Sequence, residues 1–498
     1  MKDYIISIDQ STQGTKALLF DRQGILIKRC DMPHRQIVND KGWVSHDPEE
    51  IYGNVIEVIR RVLKEAKVDP SQVAGMGISN QRETSVAWNR ATGESVANAI
   101  VWQCARATEI CERNTIKVHA KDIRQRTGLQ LSPYFPAAKM AWLIENVKEA
   151  KELATNKNLC LGTIDSYLVF RLTGGKTFGT DYSNASRTQL FDIFRLKWDE
   201  DICNWFGIDM EALPQVLDSN ADFGSTTCEG IFENPIPIHG VMGDSHAALF
   251  GQNCRSAGMT KATYGTGSSI MMNIGTKPVL SKHGVVTSLA WGMNGKVEYV
   301  LEGNLNYTGA VITWLKDDME LIQSAKETEG LAKSAIKDDS LYLVPAFTGL
   351  GAPYWNSHAK ASIVGMDRTT RKAELVRAAL ECIAYQITDI VNAMEEDIGG
   401  QVQSLRVDGG PTGNQYLMQF QSDIVERPVE VSEVEELSGI GAAFMAGFAL
   451  QMWDEGVYDT MKRVTYQPQM NEEMRSQKIA GWKDAVAGVC KKKGKQKL

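Results

Sequence analysis

Short apolar runs separated by small polar turns dominate the start of the chain. Tyr4-Ile5-Ile6-Ser7-Ile8 has the length of a strand, Asp9 to Thr15 is a polar turn, and Lys16-Ala17-Leu18-Leu19-Phe20 returns as a second strand. Asp21-Arg22-Gln23-Gly24 turns the chain again into Ile25-Leu26-Ile27. The polar insert therefore lies at the tip of a hairpin. Asp47-Pro48-Glu49-Glu50 opens a helix: Asp caps exposed amides, Pro suits the first turn, and acids favour the positive helix end. Ile51, Val55, Ile56, Ile59 and Val62 lay one apolar stripe along it. Val73 to Ile78 is strand-like and runs into Asn80-Gln81-Arg82-Glu83.

The second half repeats the pattern. Lys261 to Ser269 contains the small polar turn Tyr264-Gly265-Thr266-Gly267-Ser268, followed by the apolar Ile270-Met271-Met272-Asn273-Ile274. Leu405-Arg406-Val407-Asp408-Gly409-Gly410 reads as a strand entering a Gly-rich turn, with a helix from Gln415 to Phe420. Strands alternating with helices, and two related turns far apart in the chain, predict two α/β domains facing a cleft. The boundary falls near Phe250-Gly251-Gln252, giving domains 1–250 and 251–498.

Composition narrows the function classes. The 498 residues are 43% apolar and 23% charged, as in ordinary soluble globular proteins. Lys plus Arg is 54 against 61 Asp plus Glu, a net charge of -7 that argues against a nucleic-acid partner. The uncharged, mostly apolar run Leu437 to Trp453 has 17 residues and falls short of the ~20 that span a bilayer, so no membrane insertion is expected. Met1-Lys2-Asp3-Tyr4 leads straight into a strand with no signal-peptide pattern. The nine cysteines are scattered without a C-x-x-C pair, which predicts reduced thiols in a cytoplasmic protein. The basic run Lys491 to Lys495 reads as a solvated tail.

Three turns lack the bulk that keeps an anion from the backbone: Ser11 to Thr15 with Lys16 beside it, Tyr264 to Ser268, and Asp408 to Asn414. None of them is a Walker motif or a G-x-G-x-x-G directly after the first strand. Asp9 ends the first strand, where it either closes an Asx turn or partners a magnesium ion. Asp244 lies between an apolar run and a helix, where it is either an N-cap or a base that meets a substrate hydroxyl. Arg82-Glu83 is either a surface ion pair or, in a cleft, a donor and acceptor set for adjacent hydroxyls. Trp102 and Tyr134 can wall such a site or pack in the core.

In order along the chain, several segments resemble one family. They are Ile8 to Thr12, Gly42 to Glu50, Ser79 to Thr84, Asn98 to Gln103, Tyr134 to Leu143, Gly349 to Trp355 with Ala361 to Tyr385, and Asp408 to Gln421. Together they resemble the FGGY family of carbohydrate kinases over nearly the whole chain, closest to its glycerol-phosphorylating members. The resemblance implies the fold of the actin and hexokinase ATPases, two ribonuclease H-like α/β domains around a deep cleft. It implies ATP and Mg²⁺ as cofactors, and transfer to a terminal hydroxyl of a small polyol. Glycerol comes first, with erythritol, ribitol, xylulose and ribulose as alternatives. A non-catalytic sugar-binding regulator is the alternative from another class.

By position, the resemblance makes Asp244 the base and, with Asp9, a metal partner. Arg82, Glu83, Trp102, Tyr134, Asp244 and Ser245 would hold the polyol. Thr12, Gln13, Lys16, Thr266, Gly309, Gly410 and Asn414 would hold the nucleotide. A homodimer is implied as well. Departures from the family pattern at Ser245, where Gln is usual, and at Ser269, where an aromatic residue is usual, predict a wider and more polar pocket. The stretch Thr227 to Pro237 lacks the Arg and His through which some members are regulated, which predicts loss of both controls.

Overall fold

The computed structural model describes residues 2–336 and 340–491. The basic tail beyond Lys491 lies outside the described residues.

The hairpin at the start forms as its pattern predicts. Strands β1 (Tyr4–Gln10), β2 (Gly14–Phe20) and β3 (Leu26–Pro33) pair antiparallel in sequence. Helix α1 (Pro48–Ala66) follows, and the Asp47 side chain accepts the Glu49 amide at its start. Strands β4 (Val73–Asn80) and β5 (Ile236–Gly243) then add in parallel on the other side of β1. With the short edge strand Ser225–Thr226 they make a six-stranded sheet. Helix α2 (Asp244–Gly251) leaves the end of β5 directly.

The second half repeats this plan. Strands β6 (Thr260–Tyr264), β7 (Ser268–Gly275), β8 (Val286–Met293) and β9 (Lys296–Leu305) form an antiparallel set in the order β8-β9-β7-β6. The long helix α3 (Lys372–Ile398) returns the chain so that β10 (Leu405–Asp408) pairs parallel with β6. Helix α4 (Gln415–Val425), strand β11 (Val429–Ser432), helix α5 (Leu437–Ala449) and strand β12 (Arg463–Tyr466) follow, and a last helix, Glu472–Cys490, buries Trp482 and Val486 in the core of the second half.

Alternation along the strands assigns each face a job, because successive side chains point to opposite sides. Ile6, Ile8, Ala17 and Leu19 pack with Ile51, Val55, Ile59 and Val62 of α1. Ile5, Leu18 and Phe20 point the other way and join a core with Leu437, Ile440 and Phe444 of α5 and with Met271 and Val300 of the second sheet. Asp9 shares the parity of Ile5, and Glu302 that of Val300, so polar strand ends meet where the two sheets face each other.

The uncharged run from Leu437 becomes the buried helix α5, which crosses from the second sheet to lie on the first. Small residues make the crossing close. A methyl group on Gly441 would sit 1.8 Å from the Ala247 carbonyl oxygen, and one on Gly77 would sit 2.4 Å from that of Ala442. Among the described residues no helix is long and apolar enough to cross a membrane. All nine cysteines are free thiols, and eight are buried.

Candidate active site

Asp244 opens α2, but the cap position belongs to Gly243, so the carboxylate is not spent on capping. Its Oδ1 accepts the Ser245 amide at 2.6 Å and lies 3.2 Å from Arg82 Nε. The Asp244 side chain remains 33% exposed, whereas that of Arg82 is 6% exposed. Asp9 does not close its own turn either: its carboxylate accepts Ser79 Oγ at 3.1 Å and faces Lys16 Nζ at 3.6 Å. Burial raises the Asp9 carboxyl to about 6, Lys16 opposes the shift, and the charges of Asp244 and Glu436 add to it.

A buried carboxyl crowded by like charges is a place for a cation. Asp9 and Asp244 offer hard oxygen donors. No group of three or more His, Cys, Asp or Glu that could hold a metal occurs among the described residues. A sparse carboxylate set of this kind fits Mg²⁺, which keeps most of its own waters.

Arg82 and Glu83 lie on the connection between β4 and a second, five-stranded sheet, whose strand Ser85–Asn89 begins just beyond them. They are not a surface ion pair, for each takes its own buried partner. Arg82 donates through Nη1 and Nη2 to the two carboxylate oxygens of Glu302, at 3.0 and 2.8 Å. Glu83 accepts Arg187 Nε at 2.7 Å. Arg187 Nη1 lies 2.8 Å from Glu302 Oε2 as an ion pair, although off the line of a hydrogen bond. Glu83 also holds φ at +61°, a left-handed conformation unusual for a residue with a side chain. Burial alone would raise the Glu302 carboxyl, but Arg187 and Arg82 outweigh it and hold the group well below the usual carboxylate range.

Trp102 Nε1 donates to Thr12 Oγ1 at 2.9 Å, and its ring meets that of Tyr134 edge-on with centroids 5.6 Å apart. The two aromatic residues therefore form one wall that touches the first polar loop. Behind it, Lys139 is fully buried and donates to the Tyr134 carbonyl oxygen. Burial lowers the Lys139 ammonium to about 7, with Glu83 the main opposing charge. Ser245 lies against Asp244, with its hydroxyl 3.3 Å from Oδ1. Ser269 Oγ is shielded from solvent and has no hydrogen-bond partner among the described residues.

The other small-residue turns converge in the second half. The Gly309 amide donates to the Gly265 carbonyl oxygen at 2.9 Å, and the Thr266 carbonyl oxygen accepts the amides of Thr308 and Ala310. Gly409 holds φ at +102°, and a methyl group there would sit 2.0 Å from the Tyr264 carbonyl oxygen, so the third turn packs on the second. In front of Gly410 and Gly413 the space is open. Asn414 Oδ1 caps α4 by accepting the Leu417 amide at 3.0 Å, and its Nδ2 donates to Thr328 Oγ1. Gln13 lies exposed at the tip of the first hairpin. Lys16 Nζ reaches Glu436 Oε2 at 2.7 Å, so its charge is shared with a carboxylate that precedes α5.

Sequence reasoning missed Glu302, Arg187 and Lys139. Two of them left a signal: Glu302 directly follows the apolar run Tyr299-Val300-Leu301, and Lys139 is a lone cation inside the apolar helix that starts at Pro136. A groove of about 670 Å³ beside Pro353, Tyr354, His283 and Lys483 includes none of the predicted site residues.

Comparison with known proteins shows the family. The N-terminal domain model of the FGGY family of carbohydrate kinases matches residues 4–251, and its C-terminal domain model matches residues 260–450. A glycerol kinase of Bacillus licheniformis is 44% identical over 98% of this chain and 99% of its own length. The crystal structure of Plasmodium falciparum glycerol kinase with ADP superposes with a TM-score of 0.93 at 36% identity, covering 98% of both chains. A ligand-bound xylulose kinase of Lactobacillus acidophilus, 22% identical over 98% of this chain and 99% of its own, shares the fold at a TM-score of 0.88. The duplicated sheets are those of the ribonuclease H-like sugar kinases, and the chain belongs to the FGGY family of carbohydrate kinases.

Proposed function

We propose that this protein transfers the terminal phosphoryl group of ATP to a terminal hydroxyl of glycerol, giving glycerol 3-phosphate. The observation that carries the reading is Asp244, a part-exposed carboxylate held by the buried Arg82, which in turn pairs with Glu302 of the second half. The relatives matched over their full length, glycerol kinases, supply the choice of acceptor.

In this reading the hydroxyl proton passes to Asp244, whose Oδ2 is left for it because Oδ1 is engaged. The hydroxyl oxygen bonds to the terminal phosphorus as the bond from that phosphorus to the ADP oxygen breaks. Arg82 and Glu83 orient the neighbouring hydroxyls, while Trp102 and Tyr134 cover the carbon chain. Thr12, Gln13, Lys16, Thr266, Gly309, Gly410 and Asn414 surround the nucleotide. Asp9 and Asp244 would hold Mg²⁺, which when bound neutralises charge on the phosphate oxygens. Water is kept out by closure of the two halves. A cytoplasmic location and a homodimer go with the reading.

Coupled ADP release over glycerol, erythritol, ribitol, xylulose and ribulose tests it. Glycerol is expected to lead by orders of magnitude despite Ser245 and Ser269. Asp244→Asn is expected to lower kcat by ~10²–10⁴-fold with nucleotide affinity unchanged. Near-normal rates in that variant would remove the base assignment, and no response to any polyol would leave a sugar-binding regulator instead.

A further inference from the structure

Five buried or part-buried side chains form an unbroken line: Asp244, Arg82, Glu302, Arg187, Glu83. Its links measure 3.2 Å from Asp244 to Arg82, 2.8 Å from Arg82 to Glu302, 2.8 Å from Glu302 to Arg187 and 2.7 Å from Arg187 to Glu83. The two ends are the acids assigned to the acceptor alcohol. The centre is Glu302 on β9, and it comes from the opposite half of the molecule. Asn304 Nδ2 donates to Glu302 Oε1 at 3.1 Å and fixes the carboxylate from its own strand.

We propose that Glu302 is a positioning residue for the acceptor site: from the second half it holds the Arg82 fork by two hydrogen bonds and the Arg187 guanidinium by charge, and through them the spacing of Asp244 and Glu83. The Glu302 side chain is fully buried, so it acts through the two arginines and not on the substrate. A guanidinium held by both oxygens of one carboxylate loses its rotational freedom. Arg82 is then left with Nε as the edge it turns to Asp244, and Arg187 turns its own Nε to Glu83. The consequence is that the alcohol site is complete only while the two halves are together. The inference rests on the polyol-kinase reading of Asp244 and Glu83.

Glu302→Gln removes one acceptor oxygen and the charge. The expected result is a rise of at least tenfold in the KM for glycerol, with the KM for ATP within twofold of wild type. Glu302→Asp, which keeps the charge, should recover part of that loss. Arg187→Lys keeps the charge balance but loses the fork, and it should raise the glycerol KM even if Glu302→Gln does not fold. A merely structural role predicts a lower Tm with both KM values and the kcat of the folded fraction unchanged. That outcome in Glu302→Gln, or an unchanged glycerol KM in folded Arg187→Lys, would overturn the proposal. Wild-type turnover separates the two levels: if wild type ignores glycerol, the acceptor reading fails first. The same comparison is then made with whichever polyol it does phosphorylate.

Discussion

Lys139 shows how a single buried charge reports on the aromatic pair of Trp102 and Tyr134. Its ammonium is out of water beneath Tyr134, and burial brings its titration from the ordinary 10.5 down to about 7. The unfolded chain keeps that proton up to about 10.5, while the folded protein sheds it above about 7. Between those values the unfolded state binds more protons, so folding gains stability as pH rises. Lys139→Met removes this dependence. Urea titrations should therefore show the variant ahead of wild type at pH 6.5, with the difference shrinking toward pH 9.5. Parallel curves at the two pH values would contradict the assignment. At this scale the sequence was half legible. Asp9, Arg82, Glu83 and Asp244 stood out because they are charges at or just beyond the ends of apolar, strand-like runs. Glu302 and Arg187 did not, because the residues beside a charge do not name the partner, more than a hundred positions away, that lets it be buried.

Among the elements, α5 joins the two halves most directly. It packs on β4 and on α2 through Gly77, Gly441 and the alanines around them, with backbones too close to admit a methyl group. Gly441→Ala would force a side chain onto the Ala247 carbonyl, and overpacking of this kind typically costs ~1–3 kcal/mol. The expected observation is a lower Tm together with reduced kcat, because α2 carries Asp244 at its first residue. An unchanged Tm would mean that the helix can shift outward without penalty. The run from Leu437 to Trp453 was legible in the sequence as uncharged and too short for a membrane. Its destination was not, since an all-round apolar helix does not say which sheet will bury it. By contrast β1, β2, α1 and β10 were readable because alternation, the Asp47 cap and the Gly-rich turns are local signals.

For the whole molecule, duplication explains why the charged residues of the two halves meet. Each half sets an antiparallel hairpin beside parallel strands, and the polar ends of both sheets meet across Asp9, Asp244 and Glu302. The repeat itself was visible as two small-residue turns far apart in the chain, whereas the crossing of α5 into the first half was not. That crossing carries an expectation for a fragment. Residues 1–251 alone would leave Ile5, Leu18 and Phe20 uncovered, so the fragment should bind an apolar dye and sediment as aggregates. A monomeric, dye-silent fragment would show that the first sheet is self-sufficient. The same feature sets a timetable for biosynthesis. As the polypeptide emerges from the ribosome, the opening hairpin must wait through some four hundred residues of translation before its covering helix exists. During that interval the nascent chain displays a greasy sheet face, which is where a trigger-type holdase would be expected to engage it.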